Sequence, residues 1–248
     1  MYIGSEYYLF LSMSDLDNKV VSHFSESDQY KSRKGIVHRQ DRNIINFIKD
    51  FASGDPKILE VGGGSGALLA LVHNEAKIEY LINCEIVPWT YKNQADASIS
   101  LCGGSVLCLP FCAECFDIII MKNVLHHLVG TSRAQSKYNA KKAIEEIRRV
   151  AKLNAYIIIL EQYNEHSFFA DIVFYICRIL SLYGGSSRRF SISRNVIVSF
   201  LTPSEIKKYC LELELLCSDK ERFKPNRLFK YTLLMGDIGH LFLILRNK

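Results

Sequence analysis

The sequence predicts an α/β protein whose parallel sheet is covered by helices on both faces. Two observations carry this reading. Short strands that are apolar throughout, such as KILEV at 57–61, DIIIM at 117–121 and YIIIL at 156–160, alternate with stretches of helical periodicity. A strand apolar on both sides needs cover on both sides. A glycine-rich turn, Glu60-Val61-Gly62-Gly63-Gly64-Ser65-Gly66, follows the first of these strands and opens a helix. The carboxyl ends of the strands are where an open parallel sheet takes its ligand.

Taken in chain order, residues 1–54 read as a helical lid. Ile44, Ile45, Phe47, Ile48 and Phe51 share one helical face, and Ser53-Gly54-Asp55-Pro56 stops the helix. Residues 55–166 form the predicted core: strands at 57–61, 80–84, 99–102, 117–121 and 156–160, with helices opening at 67, around 89–97 and at 140–151. The last of these turns Ile144, Ile147 and Val150 inward. Residues 167–212 read as a helical cap. Its first helix, 168–183, is mostly apolar but interrupted by Asp171 and Arg178, and a basic loop follows it. Thr202 and Glu205 then form a capping box. Residues 213–248 add two strands, 213–217 and 241–245, an antiparallel addition at the sheet edge that makes seven in all.

Composition narrows the function classes. The 248 residues are 48% hydrophobic and 23% charged, which is ordinary for a globular domain and excludes a disordered or collagen-like chain. No apolar run reaches the ~20 residues of a membrane span. The amino-terminal segment lacks the basic cluster of a signal peptide, so a cytoplasmic protein is expected. Residues 178–248 carry 13 Lys and Arg against 6 Asp and Glu, whereas the rest of the chain is slightly acidic. Such a basic third suits an anionic partner or a solvated face. Of the eight cysteines only Cys112 and Cys115 have a recognisable spacing, and without a second such pair they read as a turn between strands rather than a metal site.

The glycine turn alone leaves two ligands open, because Gly62-x-Gly64-x-x-Ala67 also satisfies a dinucleotide fingerprint. Glu85, after the second strand, suits the ribose hydroxyls of either ligand. Glu60 discriminates: a carboxylate at the strand tip suits an ammonium group and repels a pyrophosphate. Leu109-Pro110-Phe111 before the fourth strand, and the lack of chain for a second domain, point the same way.

Over 55–160 the sequence resembles the class I S-adenosylmethionine-dependent methyltransferases of the type 11 group. KILEVGGGSG, Glu85, LCLPF, FDIIIMKNVLHHL and the helix before YIIIL carry the resemblance. It implies a Rossmann-like doubly wound sheet of seven strands with the last antiparallel. It also implies S-adenosyl-L-methionine as cofactor, S-adenosyl-L-homocysteine as product, and no metal. Glu60 and the glycines Gly62, Gly63, Gly64 and Gly66 would cradle the methionine end. Glu85 would take the ribose and Ile86 would pack on the adenine, with Ser105 and Val106 at the adenine edge and Asn123 closing the floor. Two departures stand out: Ser105 replaces a common Asp, and Leu153-Asn154-Ala155 replaces a glycine-rich turn, which Asn tolerates.

Methyl transfer to a hydroxyl needs a base near neutral pH, and His126 and His127 follow the fourth strand. Enzymes of the phosphoethanolamine type, which share this fold, pair such a histidine with a lid tyrosine. His126 and Tyr30 fit that pattern, although histidines here also merely shape this loop in many relatives. Glu161 and Tyr163 are candidates for substrate contact, and Arg188 and Arg189 for an anionic rim beside the apolar cap helix. The expected acceptor is a small molecule, anionic or lipid-linked, methylated at oxygen; a homodimer fits equally. An RNA substrate would rest on the carboxy-terminal charge alone, because neither an Asn/Asp-Pro-Pro-aromatic motif nor a Cys nucleophile follows strand four. A non-catalytic cofactor-binding scaffold is the other alternative.

Overall fold

The computed structural model describes residues 21, 39–51, 54–87, 94–182, 198–223 and 237–248, with backbone alone at 39, 180–182, 216 and 218–223. The elements follow in chain order: α1 (Arg39–Phe51), β1 (Ile58–Val61), α2 (Ala67–Ala76), β2 (Leu81–Glu85), β3 (Ser100–Gly103) and β4 (Phe116–Lys122). A short 3-10 turn (Leu125–His127) leads to α3 (Arg133–Val150), β5 (Ala151–Asn164), α4 (Ser167–Leu182), α5 (Pro203–Glu212), β6 (Leu216–Phe223) and β7 (Ile238–Arg246).

One seven-stranded sheet has the order β3-β2-β1-β4-β5-β7-β6. The pairs β1–β2, β1–β4, β2–β3 and β4–β5 are parallel, and β7 is antiparallel to both β5 and β6. The chain therefore reverses its direction of travel at β1, flanked by β2 and β4, and the crevice at their carboxyl ends is the switch point where such sheets bind ligands. The expected edge addition is corrected in one respect. β7 runs inside the sheet, its LFLIL stretch buried on both faces, and β6 with its charged CSDKERF sequence forms the edge.

Alternation along each strand feeds two separate cores. Leu59, Val61, Ile119, Met121, Ile157 and Ile159 meet α3 and the α5 residues Ile206 and Cys210 on one face. Ile58, Ile118, Ile120, Ile158 and Leu160 meet Ile44, Ile45 and Ile48 of α1 and Leu69 and Val72 of α2 on the other. Thus α1 is a layer of the core rather than part of a lid, and α5 packs on the core rather than on the cap. Residues 94–97, expected to end a helix, form a bend and the start of a turn, and 88–93 lie outside the described residues. The expected turn before strand five is corrected: Asn154, left-handed at φ 64°, lies within β5, where the pairing with β4 shifts register between Phe116 and Ile118. Thr202 and Glu205 form the expected capping box. Among the described residues no helix is long and apolar enough to cross a membrane.

Candidate active site

The glycines after β1 are there for different reasons. Gly62 and Gly64 are left-handed, at φ 70° and 58°, a region that costs an L-residue about 1–2 kcal/mol. A Cβ on Gly62 would lie 2.6 Å from Val124 of the loop after β4, so only glycine lets that loop close on the turn. A Cβ on Gly63 would strike Glu60 and Asn83 beneath it, both at 2.6 Å. Over Gly64 there is open space: nothing lies within 4 Å of its Cβ position. Gly66, also left-handed, caps α2 without a side-chain bond.

Under this turn the sheet presents acceptors that lack donors. Glu60 of β1 and Asn83 of β2 are register partners, and Glu60 Oε2 and Asn83 Oδ1 are buried with no hydrogen-bond partner. Asn123 Oδ1, after β4, is in the same condition, and Asn123 itself is held at φ 55°. Burial pushes the Glu60 carboxyl up to about 7; Lys122 opposes this, and Asp41 and Glu85 add to it. Lys122 Nζ meets Asp41 Oδ1 of α1 at 2.5 Å. Unpartnered buried acceptors suit a group carrying N–H donors, such as the ammonium of an amino acid, so the cradle fits the methionine end of S-adenosylmethionine.

Glu85 closes the far side. Its Oε1 accepts from the Ile86 and Val87 amides at 2.7 and 2.9 Å, and its Oε2 accepts from Gly64 N at 2.9 Å. Burial nevertheless holds its carboxyl above the usual range, against the pull of those three amides. Ser105 is occupied in a turn, where its hydroxyl accepts from Leu107 N. The Val106 side chain lies in the core with Leu109 and Phe116, which leaves its backbone for any ligand contact.

A second acidic centre sits on the opposite face of the sheet. His126 Nδ1 lies 2.5 Å from Glu161 Oε1, and both side chains are buried, 5% and 1% exposed. Glu161 Oε2 also takes the Val124 and Leu125 amides, and its Oε1 takes Gln162 N. Four donors fill the four acceptor sites of a carboxylate. A carboxylate only accepts, so His126 Nδ1 is the donor in this contact and Nε2 is the ring nitrogen left for another partner. His127 lies beside it, ring centroids 4.0 Å apart.

The structure thus brings Glu60, the glycines, Glu85 and Asn123 around one crevice, with the His126 loop packed against Gly62. Glu161, read from sequence as a substrate contact, is instead engaged with His126 and three backbone amides, and Tyr163 is buried in the core. Tyr30, Arg188 and Arg189 lie outside the described residues. Sequence reasoning missed Asn83, whose signal was a lone amide in an otherwise apolar strand, and the Asp41–Lys122 pair. Cys112 and Cys115 lie in the expected turn before β4, joined as a disulfide. Among the described residues no group of three His, Cys, Asp or Glu could hold a metal ion. A surface pocket of about 440 Å³ opens at the other end of the strands, lined by Glu114, Arg148, Arg149, Asn247 and Lys248 among others, with none of the predicted site residues.

Comparison with known proteins bears on the fold that carries this site. Residues 59–159 match the family model described as a methyltransferase domain. No curated protein matches the chain. Among solved structures, the geranyl diphosphate C-methyltransferase of Streptomyces coelicolor superposes with a TM-score of 0.62 at 8% identity, covering 95% of this chain and 99% of that one. A [4+2]-cyclase, SpnF, gives 0.60 at 12% identity over 92% and 93%. A putative sarcosine dimethylglycine methyltransferase from Galdieria sulphuraria gives 0.57 at 13% over 95% and 99%. At these identities the superpositions establish the fold.

Proposed function

We propose that this chain, whose residues 59–159 match a methyltransferase domain, is a class I S-adenosylmethionine-dependent methyltransferase that methylates a small-molecule acceptor at oxygen, with His126 as the base. The observation that carries the choice of oxygen is the buried His126–Glu161 pair at the carboxyl ends of β4 and β5. A sulfonium methyl is already activated, and S-adenosylmethionine supplies it; the chain has to orient the nucleophile and exclude water. A hydroxyl nucleophile also has to lose a proton. Glu161 fixes the tautomer that leaves His126 Nε2 as acceptor, so Glu161 is a positioning residue and His126 the catalytic one. His127 shapes the wall beside it.

In this reading Glu60, Asn83 and Asn123 receive the methionine ammonium, and Gly62, Gly63, Gly64 and Gly66 let the backbone approach it. Glu85 turns from Gly64 N to the ribose hydroxyls, and Ile86, Ser105 and Val106 border the adenine. The acceptor carries an apolar body and an anionic group, for which α4 and the basic loop with Arg188 and Arg189 supply the wall and rim, and Tyr30 the lid phenol. The similar fold of a protein solved with geranyl diphosphate, a chain of that chemical character, supports the choice of class.

An extract screened with methyl-labelled cofactor, followed by mass identification of the product, tests the proposal. The expected product is an O-methylated anionic or lipid-linked metabolite, and His126→Ala lowers its formation at least a hundredfold. Label on carbon or nitrogen, or full turnover by His126→Ala, overturns the assignment. Cofactor binding with no product from any extract selects the scaffold alternative, which the fold it shares with a cyclase keeps open. Salt-dependent binding of RNA with label in RNA selects the nucleic-acid alternative.

A further inference from the structure

The guanidinium of Arg133, the first residue of α3, joins three parts of the chain that are distant in sequence. Its side chain is 7% exposed, and its Nε donates to Asp171 Oδ1 of α4 at 2.7 Å. Nη1 donates to Ser199 Oγ at 2.5 Å and Nη2 to the Phe200 carbonyl. Residues 199 and 200 both touch His126. Ser199 N donates to the His126 carbonyl at 2.9 Å, and the Phe200 ring stacks on the imidazole with centroids 5.6 Å apart and 19° between planes. The next residue is pinned as well, because Asn164 N of β5 donates to Leu201 O at 3.1 Å.

The same network explains the two charges that interrupt the apolar α4. Asp171 and Arg178 lie seven residues apart, two helical turns, and so share a face. Asp171 takes Arg133, and Arg178 donates to the Thr131 carbonyl just before α3. The apolar side of α4 buries Ala170, Val173, Phe174 and Cys177, and Ala170, Val173 and Cys177 cluster with Phe200, Val198 and Ile238. Phe168, Tyr175 and Ile179 of α4 are more than half exposed. A buried guanidinium with directed acceptors contributes less stability than apolar packing of the same volume and more definition of geometry.

We propose that Arg133 is a positioning residue that couples the cap helix α4 to the ring of His126, so that the placement of α4 and the orientation of the imidazole are set together. The consequence for turnover rests on the reading of His126 as the base; the coupling itself does not. The full chain is labelled with ¹⁵N-histidine, and the His126 ring nitrogens are followed by long-range proton–nitrogen correlation across pH, with no acceptor required. Wild type shows a single Nδ1–H tautomer. Asp171→Asn and Ser199→Ala each remove one arm, and Arg133→Lys keeps the charge but loses the fork. All three shift the His126 nitrogen signals and its titration midpoint, Arg133→Lys most, with S-adenosylhomocysteine affinity within twofold of wild type.

On the acceptor found by the extract screen, kcat falls at least tenfold in Arg133→Lys with a displaced pH profile. His126 signals and midpoints superimposable on wild type in Asp171→Asn and Ser199→Ala overturn the proposal, and these two decide if Arg133→Lys does not fold. Full turnover by His126→Ala would remove the base assignment and leave the spectroscopic result to stand or fall by itself.

Discussion

Two carboxylates, Glu60 and Glu161, end up buried on opposite faces of one sheet at its carboxyl edge, and they are treated in opposite ways. Glu161 has every acceptor site filled by His126 Nδ1 and the amides of Val124, Leu125 and Gln162. Glu60 accepts from Leu69 N, but its Oε2 has no partner, and burial lifts its carboxyl to about 7. An unpaired buried acceptor costs about 1–3 kcal/mol, and a fold keeps such a group where something outside the chain completes it. On the proposed reading the difference separates two roles: Glu161 is an internally satisfied support, and Glu60 is the acceptor for a ligand that brings donors and positive charge.

The largest expected effect comes from cutting the finished support. Glu161→Ala takes the acceptor from three backbone amides and the His126 N–H, and chemical denaturation should show a loss of about 3–5 kcal/mol. A loss below 1 kcal/mol would mean that the carboxylate is not bound as described.

Glu60 predicts the reverse pattern. With its folded value near 7 against 4.5 when free, the folded chain holds a proton over that interval which the unfolded chain releases. Its contribution to stability is therefore fully present below pH 4.5 and lost as pH rises through about 7, a swing of about 3 kcal/mol. Glu60→Gln should match wild type at pH 4 and exceed it by up to about that amount at pH 8, while binding cofactor more weakly. Equal stabilities at both pH values would place Glu60 in contact with water and dissolve the contrast with Glu161.

The smallest effect on the fold and a large one on the ligand belong to Gly64→Val. The left-handed backbone costs this variant about 1–2 kcal/mol, because its side chain enters open space. That space is where the ligand is proposed to lie, so S-adenosylhomocysteine binding by calorimetry should be lost while melting falls only a few degrees.

The glycine turn was legible because each of its constraints acts on the backbone and only glycine meets them. Strands buried on both faces were legible for a similar reason, since nothing but an interior explains YIIIL or DIIIM. The same rule could have placed β7 inside the sheet and β6 at its edge, because LFLIL is apolar throughout and CSDKERF is not. The start of α3 at Arg133 escaped the apolar periodicity, which begins near Ala140; its signal was Ser132, whose side chain accepts from Gln135 N. Least legible were the long-range pairs. Glu161 reaches back 35 residues to His126, and Arg133 forward 38 and 66 residues to Asp171 and Ser199. No local pattern encodes which buried charge meets which, because register and helix placement decide it after the chain has packed.

The central claim, that Glu60 waits for the ammonium of S-adenosylmethionine, is tested most directly by titrating S-adenosylhomocysteine into the wild-type chain at pH 6 in buffers of different ionisation enthalpy. Glu60 is then mostly protonated, and the arriving ammonium should expel that proton. The account predicts one-to-one binding with release of close to one proton per ligand, and a release that vanishes in Glu60→Gln. Absence of binding, tighter binding of NAD, or binding with the same proton release in Glu60→Gln would contradict it.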